Sequence, residues 1–410
     1  MINLKKHIVI ALFYFLIVSL MGILLRFYVV TPLPINHKFL LHAHSHTALL
    51  GWVYLGLTTL IYRIFLQSAD KPKLYSRIFY VTNISILGMI ITFPIQGYAL
   101  FSIIFSTLFL FASYWFAWFA MKYVPEHFKT RFSWRLIKIA LWYLVFSSIG
   151  PWAIGGVMST LGPTSIWYKT SIYFYLHFQY NAWFILGLLG ILFFFFEEKG
   201  VQFNPQNLKS FLYLFNFGGI ATFFLSALWF QPPKIFYVLG GIGAVVQMLA
   251  FSDLYGIIKP GFPIIKREFG QYSWLFLKIA FVLMGVKLLM QLISAHPYMA
   301  NLAYRLKDFV IGYLHLVFLG IIITTLIAFL KYFKLLKLSK SFVWLFLIAF
   351  ATTEILIFYK ATAFWIGLPF FAEYYIFLAV LSCLFPVAIG ILFFANIRDT
   401  KVWPLKNLGN

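Results

Sequence analysis

The sequence predicts an all-α polytopic membrane protein with about twelve transmembrane helices. Hydrophobic residues make up 63% of the 410 residues, and charged residues make up only 10%. A soluble protein carries about 25% charged residues, so this chain has too little polar surface to cover itself in water. Long apolar runs along the chain and an uneven distribution of Lys and Arg between the loops support the same conclusion. A lipid bilayer is therefore the expected partner of most of the surface.

Apolar runs long enough to cross a bilayer, which takes roughly 20 helical residues, recur along the whole chain. Because no loop is long enough for a soluble domain, we expect residues 1–410 to form a single transmembrane domain. The first run is too long for a signal peptide and is interpreted as a retained span. The spans are predicted at 7–30, 41–66, 78–98, 101–121, 136–160, 171–196, 208–230, 234–253, 272–293, 308–330, 341–363 and 371–396.

The positive charges predict the orientation of these spans. With a cytoplasmic N-terminus, the inside segments hold 23 of the 32 Lys and Arg residues, including Lys401 and Lys406 near the C-terminus, and the outside segments hold six. Cytoplasmic loops are enriched in Lys and Arg, so both termini are predicted to be cytoplasmic in a bacterial-type inner (plasma) membrane. The formal net charge of +22 is then a consequence of topology and of attraction to anionic lipid. No nucleic-acid partner is needed to explain it.

Three histidines are predicted to lie at one depth in the membrane. His46, His177 and His315 each fall early in a span that runs from outside to inside, on the order of 10 Å below the outer surface. Imidazole is a common ligand of metal ions and haem iron, and polar groups inside a bilayer mark functional sites by default. The structural alternative is that each histidine forms a hydrogen bond to a neighbouring helix.

The other histidines are weaker candidates for a buried site. His42 and His46 are four residues apart and share a helix face, whereas His44 points elsewhere. This cluster is either a surface metal site or one buried ligand with two interfacial neighbours, and we favour the second. His7 and His127 fall at cytoplasmic span ends and in loops, where we expect solvated side chains.

Few other polar groups are predicted within the spans. Lys287 and Glu354 are deep in theirs and are candidates for a proton path or a structural ion pair, with the structural role favoured. Lys278 is expected to extend to the cytoplasmic interface. The single cysteine, Cys383, allows no disulfide framework and no cysteine-based metal site.

One motif resembles a known family. Residues 308–315 read DFVIGYLH and are followed by Leu319 and Gly320. This resembles span ten of the catalytic subunit (subunit I) of haem-copper oxidases, nearest to the branch of C-family oxidases and nitric-oxide reductases. The pattern there is D-x-x-I-G-H-x-H-x-x-x-L-G, in which the second histidine holds a low-spin haem and the first a high-spin haem. The resemblance implies that His315 ligates a low-spin haem b, with Tyr313 at the high-spin position.

Two further segments resemble the same family. His46 with the apolar run that ends at Arg63 is similar to the span-two segment that carries the other low-spin ligand. His177, with the run LGILFF at 189–194, is similar to the segment that begins with the first copper ligand. The resemblance implies a twelve-helix bundle like that of oxidase subunit I, with haem b held by His46 and His315 and metal ligands at His46, His315, His177 and His42.

The sequence departs from the family at the copper and high-spin haem sites. Two adjacent histidines near the end of span seven complete the copper site in the family, whereas residues 225–232 read LSALWFQP. The copper site is therefore expected to be incomplete. Tyr313 replaces the high-spin histidine, although tyrosine does ligate haem in some proteins. A standard oxygen- or nitric-oxide-reducing centre is not expected, and any enzymatic activity is predicted to be that of an oxidoreductase of this type.

These features predict a haem-binding membrane redox protein that transfers electrons or acts in gas or respiratory-stress responses. The sequence has no Cys-x-x-Cys-His motif, so the electron donor is expected to be a separate molecule such as a cytochrome or a quinol. The alternative from another class is a cofactor-free transporter or channel whose histidines bind metal ions or carry protons. A third interpretation is a remnant of the family that has lost its cofactors and serves in assembly.

Overall fold

The structure is a computed structural model that describes residues 2–401, with side chains described to residue 398. Every regular element in this part of the chain is helical, and no β-strand occurs within it. The all-α prediction is therefore confirmed. The C-terminal charges at Lys401 and Lys406, which entered the orientation argument, lie outside the described side chains.

Eleven stretches of the described chain are long and apolar enough to cross a membrane. They agree with the predicted spans to within a few residues, except that two predicted spans fall in one stretch. In chain order they are α1 (Leu4–Phe27), α2 (His37–Ala69), α3 (Pro72–Gln96), α4 (Leu100–Tyr123), α5 (Phe132–Thr160), α6 (Ile166–Glu198), α7 (Pro205–Phe230), a double stretch (Lys234–Ser294), α10 (Lys307–Tyr332), α11 (Lys340–Ile366) and α12 (Tyr374–Arg398).

The double stretch is a hairpin of two helices, α8 (Lys234–Ile258) and α9 (Phe262–Ser294), joined by a short 3₁₀ turn. The rings of Phe251 and Phe281 lie 4.7 Å apart, although a straight helix would separate residues thirty positions apart by about 45 Å. The chain therefore folds back on itself here. Gly270, with a φ of +73°, interrupts the helical backbone near the start of α9.

The described chain divides into two compact units. Within the described residues, unit one comprises residues 2–125, 326–356 and 370–401, and unit two comprises residues 126–325 and 357–369. Unit one therefore contains α1 to α4 and α12, and unit two contains α5 to α9. Helices α10 and α11 each contribute to both units. The prediction of a single domain stays a prediction.

Glycine allows close approach between helices within unit one. A Cβ atom on Gly51 of α2 would lie 2.9 Å from the Cβ atom of Tyr14 of α1. A Cβ atom on Gly56 would lie 2.9 Å from the side chain of Leu326, at the unit-one end of α10. Small residues at helix contacts are typical of membrane bundles, where packing stabilises association in place of the hydrophobic effect. They allow neighbouring helices to cover α2 closely.

Candidate functional site

The three most buried helical stretches carry the three histidines that the sequence analysis placed at one depth. In the most apolar window of α2, 94% of the residues are buried, and the corresponding shares are 83% for α6 and 67% for α10. No other stretch exceeds 50%. His46 lies on α2, His177 on α6 and His315 on α10. The candidate ligands therefore lie on the three stretches that have the largest buried share.

Each of these histidines lies next to a π-helical segment. The backbone changes from α to π directly after His46, at Thr47–Tyr54, and directly after His315, at Leu316–Ile323. A shorter π segment, Gln179–Trp183, begins two residues after His177. Fewer than 1% of residues in globular proteins are π-helical, and π-bulges occur frequently at functional sites. The local backbone therefore changes beside all three histidines, and one further π segment, Tyr62–Leu66, has no histidine next to it.

In unit one, the imidazole of His46 is oriented by its own helix. Its Nδ1 atom donates a hydrogen bond to the carbonyl oxygen of His42, at 2.9 Å, because a carbonyl can only accept. In the neutral imidazole this leaves Nε2 unprotonated. The Nε2 atom accepts a hydrogen bond from the hydroxyl of Tyr98, at 3.2 Å. A histidine whose Nδ1 is fixed by a carbonyl and whose Nε2 bears a lone pair has the arrangement of a metal-ligating histidine.

The neighbouring histidines of unit one take different directions. The rings of His42 and His46 both contact Tyr98, with centroids 4.7 Å and 5.8 Å from it. His44 instead donates from Nδ1 to the carbonyl oxygen of Val18 on α1, at 3.1 Å. A Cβ atom on Gly22 would lie 3.2 Å from the His44 ring, so α1 makes room for this side chain. The three histidines therefore do not converge, and the side-chain directions agree with the i, i+4 spacing.

In unit two, both nitrogens of His177 are occupied by protein groups. Nε2 donates to the carbonyl oxygen of Gly219 on α7, at 2.8 Å. Nδ1 is then the acceptor, and it lies 3.1 Å from the Nδ2 atom of Asn181 and 3.2 Å from the hydroxyl of Ser226. The side chain is 1% exposed. His177 therefore forms the interhelical hydrogen bonds of the structural alternative.

This arrangement does not fit a copper site. The segment that would supply two histidines in the family places the hydroxyl of Ser226 against His177 instead. Among the described residues, no three side chains of the types His, Cys, Asp and Glu form a group that could hold a metal ion. With both nitrogens of His177 engaged, no lone pair is free for copper. The metal-ligand role of His177 stays a prediction that this geometry does not favour.

Tyr313 and His315 lie in the unit-two part of α10. The ring of Tyr313 is 6.3 Å from that of Tyr180, which lies in the π segment of α6. Phe318, three residues after His315, also contacts the Tyr180 ring, at 5.8 Å. The side chains of Tyr313 and His315 are both half-buried. Unit two therefore places Tyr313 in an aromatic contact, and its role as a haem ligand stays a prediction.

The segment that carries His315 is held at its start by an ion pair. Lys360 Nζ lies 3.2 Å from a carboxylate oxygen of Asp308, and each side chain is 20% exposed. One turn further along α10, a Cβ atom on Gly312 would lie 2.8 Å from the ring of Phe358. Asp308 and Gly312, two residues of the family-like motif, therefore pack this end of α10 closely against the end of α11.

One expectation about a polar residue is tested within unit one, whereas the roles expected of Lys287 and Glu354 stay predictions. His7 is not solvated, contrary to the prediction: it is 4% exposed and stacks on Phe79 with ring centroids 3.6 Å apart. Aromatic side chains of α3, Phe79 among them, cover His7. The predicted topology places this residue at the membrane surface. The contact between His7 and Phe79 has no sequence signal.

Comparisons with known proteins do not add to this geometry. No protein-family model matches the chain, and no curated protein matches it.

Proposed function

We propose that the protein is a membrane redox protein that binds haem b through His46 and His315. The observation that supports this most strongly is the shared setting of the histidines, since each lies on one of the most buried stretches and next to a π-helical segment. The resemblance of residues 308–315 to the family motif independently assigns His315 the low-spin position. The multi-pass helical fold, rich in apolar stretches, suits the bilayer in which such a group would sit.

The hydrogen bond that orients His46 fits the role of a haem ligand, provided that Tyr98 releases the Nε2 atom. The hydrogen bond from Nδ1 to the carbonyl of His42 fixes the tautomer and directs the Nε2 lone pair away from the helix backbone. Haem b, when bound, supplies a one-electron carrier. Because His46 and His315 would both ligate the iron and leave no position for a substrate, the proposed role is electron transfer rather than activation of a substrate. A standard oxygen reductase is not proposed, since the residues around His177 do not fit copper.

The proposal extends to topology and partners. We propose twelve crossings, in which α8 and α9 of the hairpin each cross once, with both termini in the cytoplasm of a bacterial-type cell. The bundle is proposed to be like that of oxidase subunit I. The electron donor is proposed to be a separate cytochrome or quinol.

The test is the visible spectrum of detergent-purified protein, oxidised and then reduced with dithionite. Protein from haem-replete cells should show sharp low-spin haem b bands. In the variants His46→Gly and His315→Gly, the absorbance of these bands should fall at least tenfold. In His127→Gly, which changes an exposed position, the absorbance should be unchanged. Added imidazole should restore binding in the two ligand variants, which separates loss of a ligand from failure to fold.

A featureless spectrum of the wild-type protein would refute the haem proposal. Loss of the bands in His127→Gly to the same extent would show that the spectrum does not report specific ligation. A featureless spectrum together with metal-dependent or proton-dependent transport would favour the transporter interpretation.

A further inference from the structure

Unit two contains a small, partly open cavity with one buried amine. Its volume is about 50 Å³, and it lies between α6, α7, α8 and α9. Most of its eleven lining residues are Phe, Leu, Ile and Met, and the polar ones are Asn181, Gln247 and Lys287. These three side chains are 2%, 4% and 3% exposed. Lipid-facing lysine would extend to the interface, whereas Lys287 points into the protein.

Two amide oxygens at this cavity lack hydrogen-bond donors. The Oδ1 atom of Asn181 and the Oε1 atom of Gln247 are buried and have no partner among the described residues. The orientation of Asn181 follows from His177: Gly219 fixes the proton on Nε2, so Nδ1 must accept the Asn181 amide. The Asn181 oxygen therefore has to face away from His177 as an acceptor. His177 thus orients a side chain of this cavity.

When it is protonated, Lys287 brings a charge that the cavity residues do not neutralise. None of the lining residues is acidic, and the ion pairs in the described part of the chain do not include Lys287. A lysine ammonium has three N–H donors, and neither amide oxygen receives one of them in this structure. Water satisfies such donors but leaves the positive charge of the protonated amine uncompensated, and a buried ammonium either loses its proton or is paired with an anion.

We propose that this cavity binds one small monovalent anion of the chloride class, paired with Lys287. A single water needs roughly 15 Å³ of such volume, so a cavity of about 50 Å³ has room for a monatomic anion. The apolar lining lowers the local dielectric constant, which strengthens the attraction between the charges. This site is separate from the proposed haem ligands and does not depend on haem binding.

The primary test is a crystal of the wild-type protein grown or soaked in sodium bromide. Anomalous diffraction should show one bromide peak in this cavity, within hydrogen-bond distance of Lys287 Nζ. Lys287→Met, which keeps the side-chain length and removes the charge, should lose this peak. Lys278→Met is the matched control on the same helix, because Lys278 is exposed and lies over the Trp274 ring at 5.7 Å; it should keep the peak.

A second measurement works in detergent solution and does not require the variant to crystallise. Sodium chloride should raise the midpoint of thermal unfolding above that in sodium gluconate at equal ionic strength, because a ligand of the folded state stabilises it by mass action. The chloride-specific rise should be absent in Lys287→Met and present in Lys278→Met. Wild-type protein with no bromide peak at Lys287 and no chloride-specific rise would overturn the proposal, as would a peak retained in Lys287→Met.

Discussion

The hydroxyl of Tyr98 donates a hydrogen bond to the Nε2 atom of His46, at 3.2 Å. The Nδ1 atom of the same ring is already bound to the carbonyl of His42. Tyr98 therefore engages the one lone pair of His46 that is suited to hold haem iron. The two uses of this lone pair exclude each other, so haem binding requires the Tyr98 hydroxyl to release it.

Replacing Tyr98 should consequently strengthen haem binding. Tyr98→Phe removes the hydroxyl and keeps the ring that contacts His42 and His46. An exposed hydrogen bond contributes about 0.5–1 kcal/mol, so the affinity of the haem-free protein for haem should rise about two- to fivefold. Haem titration followed by absorbance measures this change. Weaker binding in Tyr98→Phe would contradict the competition and would indicate that the hydroxyl supports the ligand instead.

Gly97, beside this tyrosine, should be essential to the local fold. Its φ is +61°, and an added Cβ atom would lie 2.4 Å from the ring of Phe39. Gly97→Ala should lower the free energy of unfolding by about 3 kcal/mol or more, because strain of about 1–3 kcal/mol adds to the clash. Gly270→Ala is the matched control, since Gly270 has a φ of +73° and nothing within 4 Å of an added Cβ atom.

Unfolding of both glycine variants in a denaturing detergent compares the two effects directly. Gly97→Ala should be the less stable by at least about 1 kcal/mol, an overpacking cost. Equal losses of unfolding free energy would show that backbone strain alone sets the cost. They would also show that the Phe39 ring moves aside without a cost.

His177 should stabilise unit two without affecting haem spectra. His177→Leu leaves the Asn181 amide without its acceptor in a buried site, whereas the Gly219 carbonyl keeps only the Thr222 hydroxyl, at 3.3 Å. An unsatisfied buried group costs about 1–3 kcal/mol, so the free energy of unfolding should fall by about that amount. His127→Leu, at an exposed position, should change it by less than about 0.5 kcal/mol. A copper-dependent activity that His177→Leu abolishes while stability is kept would contradict this structural role.

The proposed topology predicts which sides of the membrane are accessible. In a Cys383→Ser background, single cysteines at exposed positions should react with a membrane-impermeant maleimide in intact cells only when they lie outside. Thr164→Cys and His296→Cys should be labelled, whereas Thr130→Cys and Lys266→Cys should react only after the cells are opened. Labelling of Lys266→Cys in intact cells would show that α8 and α9 do not each cross the membrane.

The sequence alone predicted the helical class and the approximate bounds of nearly every span. Hydrophobic run length and charge placement suffice for this, because a bilayer admits few structures other than apolar helices. The hairpin at residues 234–294 was also predictable as two runs, although only the contact between Phe251 and Phe281 shows that the chain reverses. Spacing likewise predicted that His44 points away from His42 and His46.

Other features of the site depended on the tertiary structure, because they are contacts between residues far apart in the chain. No sequence pattern shows that Gly219 and Ser226 saturate His177, that Phe79 covers His7, or that Tyr98 reaches His46. The sequence determined which side chains are able to bind metal or charge. The tertiary structure decided which of their lone pairs are already engaged, because hydrogen-bond partners in a helical bundle are set by packing between helices.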